Sequence, residues 1–268
     1  MEISVVIPVF NEAGNVGPLM LELVEALVSI QDPHPGPLPG GEGECEWEVI
    51  WVDDGSTDDT RGDLLALQER HEWLRVIGLE RRCGQSAALW TGLHAARGET
   101  IVTLDGDGQN DPADIPQLLA ALETADLVIG CRRQRRDSLA TRLFARAANA
   151  ARNLLTASQI PDSGCGLRAM RREVLSCLIP FDGMHRFIPT LAEIGGLRVR
   201  SIDVAHRPRS RGRSKYGIWD RLVGPLLDCL MLRRLKQRRL PEVRSREARP
   251  PTRPVPADEQ LGAVARRE

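Results

Sequence analysis

Two aspartates and a nearby amide could bind a cation in the stretch 99–112, Glu-Thr-Ile-Val-Thr-Leu-Asp-Gly-Asp-Gly-Gln-Asn-Asp-Pro. Apolar strand formers precede Asp105, Asp107 and Gln109, and the glycines between them let the backbone turn sharply. Two carboxylates and an amide suit a hard divalent cation, with positions left for water and phosphate oxygens. The alternative, a solvated acidic turn, explains one Asp-Gly pair but not the second acidic cluster of the chain.

The second acidic cluster, Asp-Asp-Gly-Ser-Thr-Asp at 53–58, also follows an apolar run. A third run, at 3–9, leads into Asn-Glu at 11–12. Ligands of parallel sheets bind beyond the carboxyl ends of the strands, so these loops are expected at one edge. Glu12 and Asp53 each have a second interpretation, as caps of the helices that follow them.

Apolar runs alternate along the chain with segments of helical periodicity. Predicted strands cover 3–9, 47–52, 74–79, 101–104, 126–130 and 198–204, and predicted helices cover 16–30, 60–70, 86–96, 115–122, 139–155, 171–178 and about 217–235. This order predicts an α/β fold with a Rossmann-like, mostly parallel sheet flanked by helices. The Pro- and Gly-rich stretch 32–45 is predicted to be an inserted surface loop, so deletion of 33–44 should cost little.

Composition excludes several protein classes. The chain has 268 residues, of which 42% are hydrophobic, enough for an ordinary core. Its six cysteines show no Cys-x-x-Cys spacing, so neither a zinc ribbon nor a disulfide framework is indicated, and free thiols in a reducing cytosol are expected. The sequence enters a strand at once and has no uncharged apolar run of membrane-spanning length. We therefore expect a protein that is neither exported nor membrane-spanning.

Charge is divided unevenly along the chain. Residues 1–196 carry a balance of −12, whereas residues 197–268 carry +11. A basic end indicates an anionic partner, either nucleic acid or an acidic membrane surface. The tail 241–268 is rich in Pro, Arg and Glu and is predicted to be disordered. The preceding segment 217–240 is predicted to be an amphipathic basic helix, packed either on the membrane interface or on the protein itself.

Five motifs occur in a fixed order. They are Ile-Pro-Val-Phe-Asn-Glu at 7–12, Asp-Asp-Gly-Ser at 53–56, Asp-Gly-Asp-Gly-Gln at 105–109, Asp-Ser-Gly-Cys-Gly-Leu-Arg at 162–168, and Arg-x-x-Gly-x-Ser-Lys at 209–215. In these motifs the chain resembles family 2 inverting glycosyltransferases of the GT-A fold. Within that family it is similar to polyprenyl-phosphate hexosyltransferases of the dolichol-phosphate mannose synthase type. The resemblance covers roughly residues 1–220, with 1–216 as the transferase domain.

The resemblance implies a role for each motif. The nucleotide would be bound by Pro8, Glu12, Asp53 and Asp105, and Mg2+ or Mn2+ by Asp105, Asp107 and Gln109. Catalysis would depend on Asp107 together with Arg132, Arg168, Arg209 and Lys215, which handle the donor and acceptor phosphates. The chain departs from the family pattern at Gly106, a frequent alanine, at Phe10, a frequent tyrosine, and in having no membrane helices after Lys215.

Other polar residues near these motifs have simpler interpretations. Arg133, Arg135 and Arg136 form a run that is typical of a solvated face. Cys165 has no partner base among its sequence neighbours and is interpreted as a packing residue. His185 and His206 are either structural or polar groups of the acceptor site.

The expected reaction moves a hexosyl unit from a nucleoside-diphosphate sugar, GDP-mannose or a UDP-sugar, to dolichyl or undecaprenyl phosphate with inversion. The product would serve cell-envelope glycan or lipid modification. The enzyme would act peripherally on an anionic membrane surface, at the inner face of the cytoplasmic membrane. Nucleic acid is not an expected partner, and an integral membrane partner or a homo-oligomer stays open.

Two other functions fit the same sequence. A family 2 transferase that builds a polysaccharide would use a sugar hydroxyl as acceptor and would need a carboxylate as general base. A non-catalytic nucleotide-binding module would bind the nucleotide tightly without turnover.

Overall fold

The structure is a computed structural model that describes residues 2–31, 46–132, 160–208 and 223–238. Its strands are β1 Ile3–Val9, β2 Trp47–Asp53, β3 Leu74–Gly78, β4 Thr100–Thr103, β5 Leu127–Cys131, β6 Arg168–Arg171 and β7 Val199–Asp203. Its α-helices are α1 Val16–Gln31, α2 Thr60–Gln68, α3 Gln85–Ala95, α4 Ile115–Ala121, α5 Ile188–Gly195 and α6 Val223–Gln237. Short 3₁₀ helices cover Pro112–Asp114, Arg172–Cys177 and Met184–Arg186.

The described strands form one sheet in the order β3-β2-β1-β4-β6-β5-β7. All neighbours pair in parallel except β6, which runs antiparallel between β4 and β5. The predicted mostly parallel sheet is therefore confirmed. The reversal of β6 brings its first residue, Arg168, beside Thr103 near the carboxyl end of β4.

Two segments were not predicted correctly. The helix expected at 171–178 is the end of β6 followed by a 3₁₀ helix, because Arg-Ala-Met-Arg becomes a strand through pairing on both sides. Helix α5 was not predicted, since Pro189 reads as a break although it occupies the first turn of that helix. The predicted helix 139–155, the inserted loop 32–45 and the boundaries at 216 and 240 lie outside the described residues.

Side chains alternate between the two faces of the sheet. On β1, Val5 and Ile7 face a core layer that includes residues of α1, α2 and α4. Val6 faces the other layer, which includes residues of α3, α5 and α6. Helices thus cover both faces and leave the carboxyl edge of the sheet to loops.

A buried carboxylate links the strands at the amino-terminal edge of the sheet. Glu48 in β2 is 1% exposed, and its Oε1 accepts hydrogen bonds from Ser4 Oγ and the Arg97 backbone N–H, each at 2.7 Å. Its Oε2 accepts from Arg75 Nη1 at 2.7 Å. Burial raises the pKa of Glu48, but the bonds from Arg75, Ser4 and Arg97 outweigh it and hold the pKa below its usual value. This network joins three strands to the end of α3.

Helix α6 buries one face in the protein. Cys229 and Leu232 are buried in the same core layer as α3 and α5. Leu227, Leu230 and Met231 are 61%, 46% and 41% exposed. In the part of the chain that the structure describes, no helix is both long and apolar enough to cross a bilayer.

Candidate active site

The loop after β4 is held in shape by its own polar groups. The Asp105 backbone N–H donates to Asn110 Oδ1 at 3.2 Å, and the Gln109 N–H donates to Asp107 Oδ1 at 3.1 Å. Asn110 is buried and Asp107 is 9% exposed. From the neighbouring helix, Gln85 Nε2 donates to Asp105 Oδ1 at 2.8 Å. Both aspartates are therefore presented in a pre-formed loop at the carboxyl edge.

Arg168, the first residue of β6, lies beside Thr103, the last residue of β4 before this loop. It is 3% exposed, and its Nη2 donates to the Ser163 carbonyl at 3.3 Å, while its Nε has no hydrogen-bond acceptor among the described residues. Burial lowers the pKa of Arg168, and the negative charge of Asp105 partly offsets that effect. A buried guanidinium N–H without an acceptor is suited to an anionic ligand oxygen.

Arg132 is engaged by an aspartate of the fourth motif. Its Nε and Nη2 donate to the two carboxylate oxygens of Asp162 at 2.7 and 2.9 Å. Burial lowers the pKa of Arg132, but the hydrogen bonds and charge of Asp162 raise it by more, so the guanidinium stays charged. The pair uses two of the five N–H donors of the guanidinium.

The end of β2 forms a second polar site. Asp53 is fully buried, and its Oδ1 accepts from the Ser56 N–H at 2.9 Å. Its Oδ2 has no donor among the described residues. Asp53 does not cap α2, whose first residue is Thr60 and whose N-cap is Asp59. A buried carboxylate oxygen without a donor can accept an N–H or O–H group of a ligand.

The loop after β1 is hydrogen-bonded to the loop after β2, because the Asn11 N–H donates to Ser56 Oγ at 2.9 Å, and it also contacts the start of α2. Glu12 donates its backbone N–H to Thr60 Oγ1 at 2.8 Å, and its Oε2 accepts from Asn15 Nδ2 at 2.7 Å, just before α1 begins. Glu12 thus orders the start of α1. Pro8 is half-buried and pairs with Val52 next to Asp53.

An aromatic ring lies beside these loops. The guanidinium carbon of Arg82 is 4.5 Å from the centre of the Phe10 ring. Arg82 is not part of any of the five motifs, and only its place after the third strand could have singled it out.

The departure at Gly106 from the family pattern has a local reason. A Cβ at this position would overlap Val9 Cγ1 at the end of β1. The loop after β4 therefore approaches β1 more closely than an alanine would allow.

Cys165 and His185, interpreted from the sequence as structural or polar residues near the motifs, are both neutral. Burial raises the pKa of Cys165 to about 11, so the thiol is not ionised at neutral pH, in keeping with a packing residue. Burial, and then the charges of Arg186 and Arg168, lower the pKa of His185 to about 3. His185 Nδ1 is 2.8 Å from Ser86 Oγ.

The structure brings Asp105, Asp107, Arg132 and Arg168 to one edge of the sheet, with Asp53 at the end of β2 and Glu12 in the loop after β1. Pro8 and Gln109 lie at the same edge, whereas Arg209 and Lys215 lie outside the described residues, as do Arg133, Arg135 and Arg136. The sequence analysis missed Gln85, Asn110 and Asp162 as partners of the site.

The donor set fits a divalent cation shared with a substrate. Within 2–31, 46–132, 160–208 and 223–238, no three His, Cys, Asp or Glu side chains converge as a metal cage. Asp105 and Asp107, with the Gln109 amide in the same loop, offer hard oxygen ligands. Such a set is incomplete by itself and leaves coordination positions for diphosphate and water oxygens.

Comparison with known proteins agrees with this geometry. Residues 4–179 match the model of glycosyl transferase family 2. The chain is 38% identical over 248 residues to dodecaprenyl-phosphate galacturonate synthase of Rhizobium johnstonii, covering 89% of this chain and 69% of that relative. It is 36% identical over 233 residues to undecaprenyl-phosphate 4-deoxy-4-formamido-L-arabinose transferase of Photorhabdus laumondii, covering 85% and 68%.

A solved structure shares the fold. It is glucosyl-3-phosphoglycerate synthase from Mycobacterium tuberculosis in complex with Mn2+, uridine diphosphate and glucosyl-3-phosphoglycerate. The similarity has a TM-score of 0.56 at 26% identity and covers 87% of this chain and 79% of that one. With the match over residues 4–179, these findings show that the chain belongs to glycosyltransferase family 2 and is a glycosyltransferase with the GT-A fold.

Proposed function

We propose that this enzyme transfers a glycosyl unit from a nucleoside-diphosphate sugar to a polyprenyl phosphate. The observation that carries the proposal is the placement of Asp105 and Asp107 at one sheet edge with the buried cation Arg168 and the half-buried cation Arg132. Carboxylates beside cations suit a reaction in which two phosphates meet. The two relatives above are named for polyprenyl-phosphate products or acceptors.

The sugar is open to two classes. One relative is named for galacturonate, a six-carbon sugar acid, and the other for an arabinose derivative, a five-carbon sugar. The hexosyl unit predicted from the sequence corresponds to the six-carbon class. The proposed donor base is guanine or uracil.

Donor binding is assigned to the two loops at the ends of β1 and β2 and to the loop after β4. Asp53 Oδ2 would accept a hydrogen bond from the nucleoside, with Pro8 and Glu12 shaping the same pocket. Asp105, Asp107 and Gln109 would hold Mg2+ or Mn2+. When bound, the cation offsets the charge that develops on the leaving diphosphate.

The acceptor phosphate is the proposed nucleophile, and no side chain acts as a general base. A phosphate monoester has a second pKa of about 6, so it is largely deprotonated at neutral pH. Its oxygen forms a bond to the anomeric carbon as the bond from that carbon to the diphosphate oxygen breaks. The nucleoside diphosphate leaves with the electron pair. Attack from the face opposite the leaving group inverts the anomeric centre.

Fixed cations would position the acceptor. Arg168 offers its unpaired Nε–H, and Arg132 keeps three N–H donors besides those on Asp162. Arg209 and Lys215 are proposed to complete the clamp. Arg207, two residues before Arg209, lies at the loop after β4, because its backbone N–H donates to the Gln109 carbonyl at 3.0 Å.

The membrane surface is proposed to meet α6. Leu227, Leu230 and Met231 are exposed, and the basic run Arg-Arg-Leu-Lys-Gln-Arg-Arg at 233–239 follows them. Apolar side chains next to a basic run suit an anionic lipid interface. The enzyme would then act as a peripheral protein at the inner face of the cytoplasmic membrane.

A donor screen tests the proposed function. The purified protein is incubated with labelled UDP- and GDP-sugars, Mn2+ and vesicles that contain undecaprenyl phosphate, and lipids are extracted. Label in the lipid fraction is expected with one donor. Label in a water-soluble polymer would instead favour the hydroxyl-acceptor alternative, and nucleotide binding without transfer or hydrolysis would favour the non-catalytic one.

Variants of the clamp test the mechanism. Arg209→Ala and Lys215→Ala are expected to lower transfer far more than they lower nucleotide binding. Equal losses in both assays would reject the clamp, and a product with retained anomeric configuration would reject direct displacement.

A further inference from the structure

Gln85, the first residue of α3, reaches from the helix to the loop after β4. Its Nε2 donates to Asp105 Oδ1 at 2.8 Å, across a separation of 20 residues. No motif in the sequence includes it. The bond therefore links a helix of one βα unit to a proposed metal ligand of the next.

The backbone on both sides of Gln85 is anchored. The Asp54 carboxylate accepts hydrogen bonds from the two N–H groups just before α3, at distances of 2.6 to 3.1 Å. After Gln85, Ser86 Oγ accepts the Gly183 N–H at 2.9 Å and is 2.8 Å from His185 Nδ1. Because both flanking positions are fixed, the Gln85 amide can hold a defined position.

The other side of the Asp105 carboxylate is also confined. Its Oδ2 lies so close to Gly166 that a Cβ there would overlap it. Gly166 is held in turn by Thr103, whose Oγ1 donates to the Gly166 carbonyl at 2.8 Å. The Asp105 carboxylate thus accepts the Gln85 amide N–H on Oδ1 and lies with both oxygens against Gly166.

We infer that Gln85 is a positioning residue, which orients the Asp105 carboxylate for the divalent cation of the proposed reaction. This inference rests on the proposed function. An amide suits the task because it donates a hydrogen bond without adding a positive charge. A lysine in its place would pair with Asp105 and compete with the cation for the same carboxylate.

The expected effect is on metal affinity. Hydrogen-bond partners of metal ligands typically contribute about 10- to 100-fold in affinity or activity. Gln85→Met keeps the length and helix propensity of the side chain but removes the donor. We expect Gln85→Met to weaken Mn2+ binding in the presence of UDP by about 10-fold or more. Gln85→Lys should weaken it further, although lysine can still bond to Asp105.

Mn2+ binding is measured by electron paramagnetic resonance, in which the free ion gives the signal, with and without UDP. The matched control is Gln117→Met, because Gln117 Nε2 donates to Asp114 Oδ1 at 2.6 Å on the surface of α4. The control should bind Mn2+ like the original protein. Thermal unfolding of each variant confirms that it is folded, and raising the Mn2+ concentration should restore part of the transfer activity of Gln85→Met.

The outcomes separate this inference from the proposed function. Mn2+ affinity in Gln85→Met within twofold of the original value would overturn the role of Gln85 alone. So would Gln85→Lys binding Mn2+ as tightly as the original protein. Full transfer by the original protein in excess chelator, with no Mn2+ binding, would overturn both the metal assignment and the role of Gln85.

Discussion

Arg132 and Asp162 form a two-point ion pair although they are 30 residues apart in sequence. Arg132 follows the last residue of β5, and Asp162 lies in the loop that leads to β6. The chain therefore leaves the sheet and returns to it at the same place. The pair joins the end of β5 to the loop before β6 and holds a guanidinium at the site edge.

The Arg132–Asp162 pair should matter for stability. Arg132→Ala removes the two-point guanidinium contact of the buried Asp162 charge, and breaking a buried ion pair typically costs about 3–5 kcal/mol in the free energy of unfolding. The matched control is Arg198→Ala. Arg198 pairs with Asp126 in the same two-point geometry, but its side chain is 64% exposed, so its loss should cost less. Urea denaturation measures the free energy of unfolding of both variants. Equal losses would show that burial of an ion pair does not determine its contribution to stability.

Removing one negative charge from the loop after β4 should slow the reaction strongly. Asp107→Asn keeps the shape of the side chain but weakens a proposed metal ligand, and a loss of about 100-fold or more in kcat is expected. Steady-state transfer assays at several Mn2+ concentrations measure it. Asp63→Asn, on the exposed face of α2, is the control. Full activity of Asp107→Asn, or of the original protein in excess chelator, would contradict the metal assignment.

Glu48 should make stability depend on pH. Its folded-state pKa is lowered, so its contribution is present above the unfolded pKa of about 4.3 and is lost as pH falls through the folded value. We expect Glu48→Gln to lower the free energy of unfolding by about 1–3 kcal/mol at pH 7. The gap to the original protein should narrow below pH of about 4. Urea denaturation at pH 7 and below pH of about 4 measures this stability difference. Glu123→Gln, at an exposed position, is the control. A gap independent of pH would contradict it.

Helix α6 should bind anionic vesicles through its exposed leucines. Leu227→Asp with Leu230→Asp removes apolar area and adds negative charge, so binding to phosphatidylglycerol vesicles should fall at least 10-fold. Flotation measures the bound fraction. Leu21→Asp is the control, because Leu21 is 75% exposed on α1. Two outcomes would argue against α6 as the membrane-facing surface. One is normal vesicle binding by both variants, and the other is loss of binding by the Leu21→Asp control alone.

The sequence predicted the parts of the fold that follow local rules. Apolar runs such as Ile3–Val9 and Trp47–Asp53 become strands because they are long, β-branched and buried on both faces. The position of Asp53 and Asp105 at one edge followed from the rule that ligands bind at the carboxyl ends of parallel strands. These predictions needed no knowledge of distant contacts.

The remaining features depend on distant contacts. Strand β6 has four residues, two of them arginines, and is a strand only because β4 and β5 flank it. The bond from Gln85 to Asp105 needs the packing of α3 on the sheet, and the pairing of Arg132 with Asp162 needs β5 and β6 as neighbours. Hydrophobic periodicity carries no information on such side-chain pairs.

The place of β6 has a consequence for protein synthesis. Strand β4 pairs with β1 on one side and with β6 on the other. After Thr103 has been made, the ribosome must add about 70 residues before Arg171 completes the partner strand, which takes about 3–14 s at usual elongation rates. During that interval the outer edge of β4, with Ile101 and Val102, lacks its native neighbour. An open strand edge in a nascent chain is a site for wrong pairing and for chaperone binding.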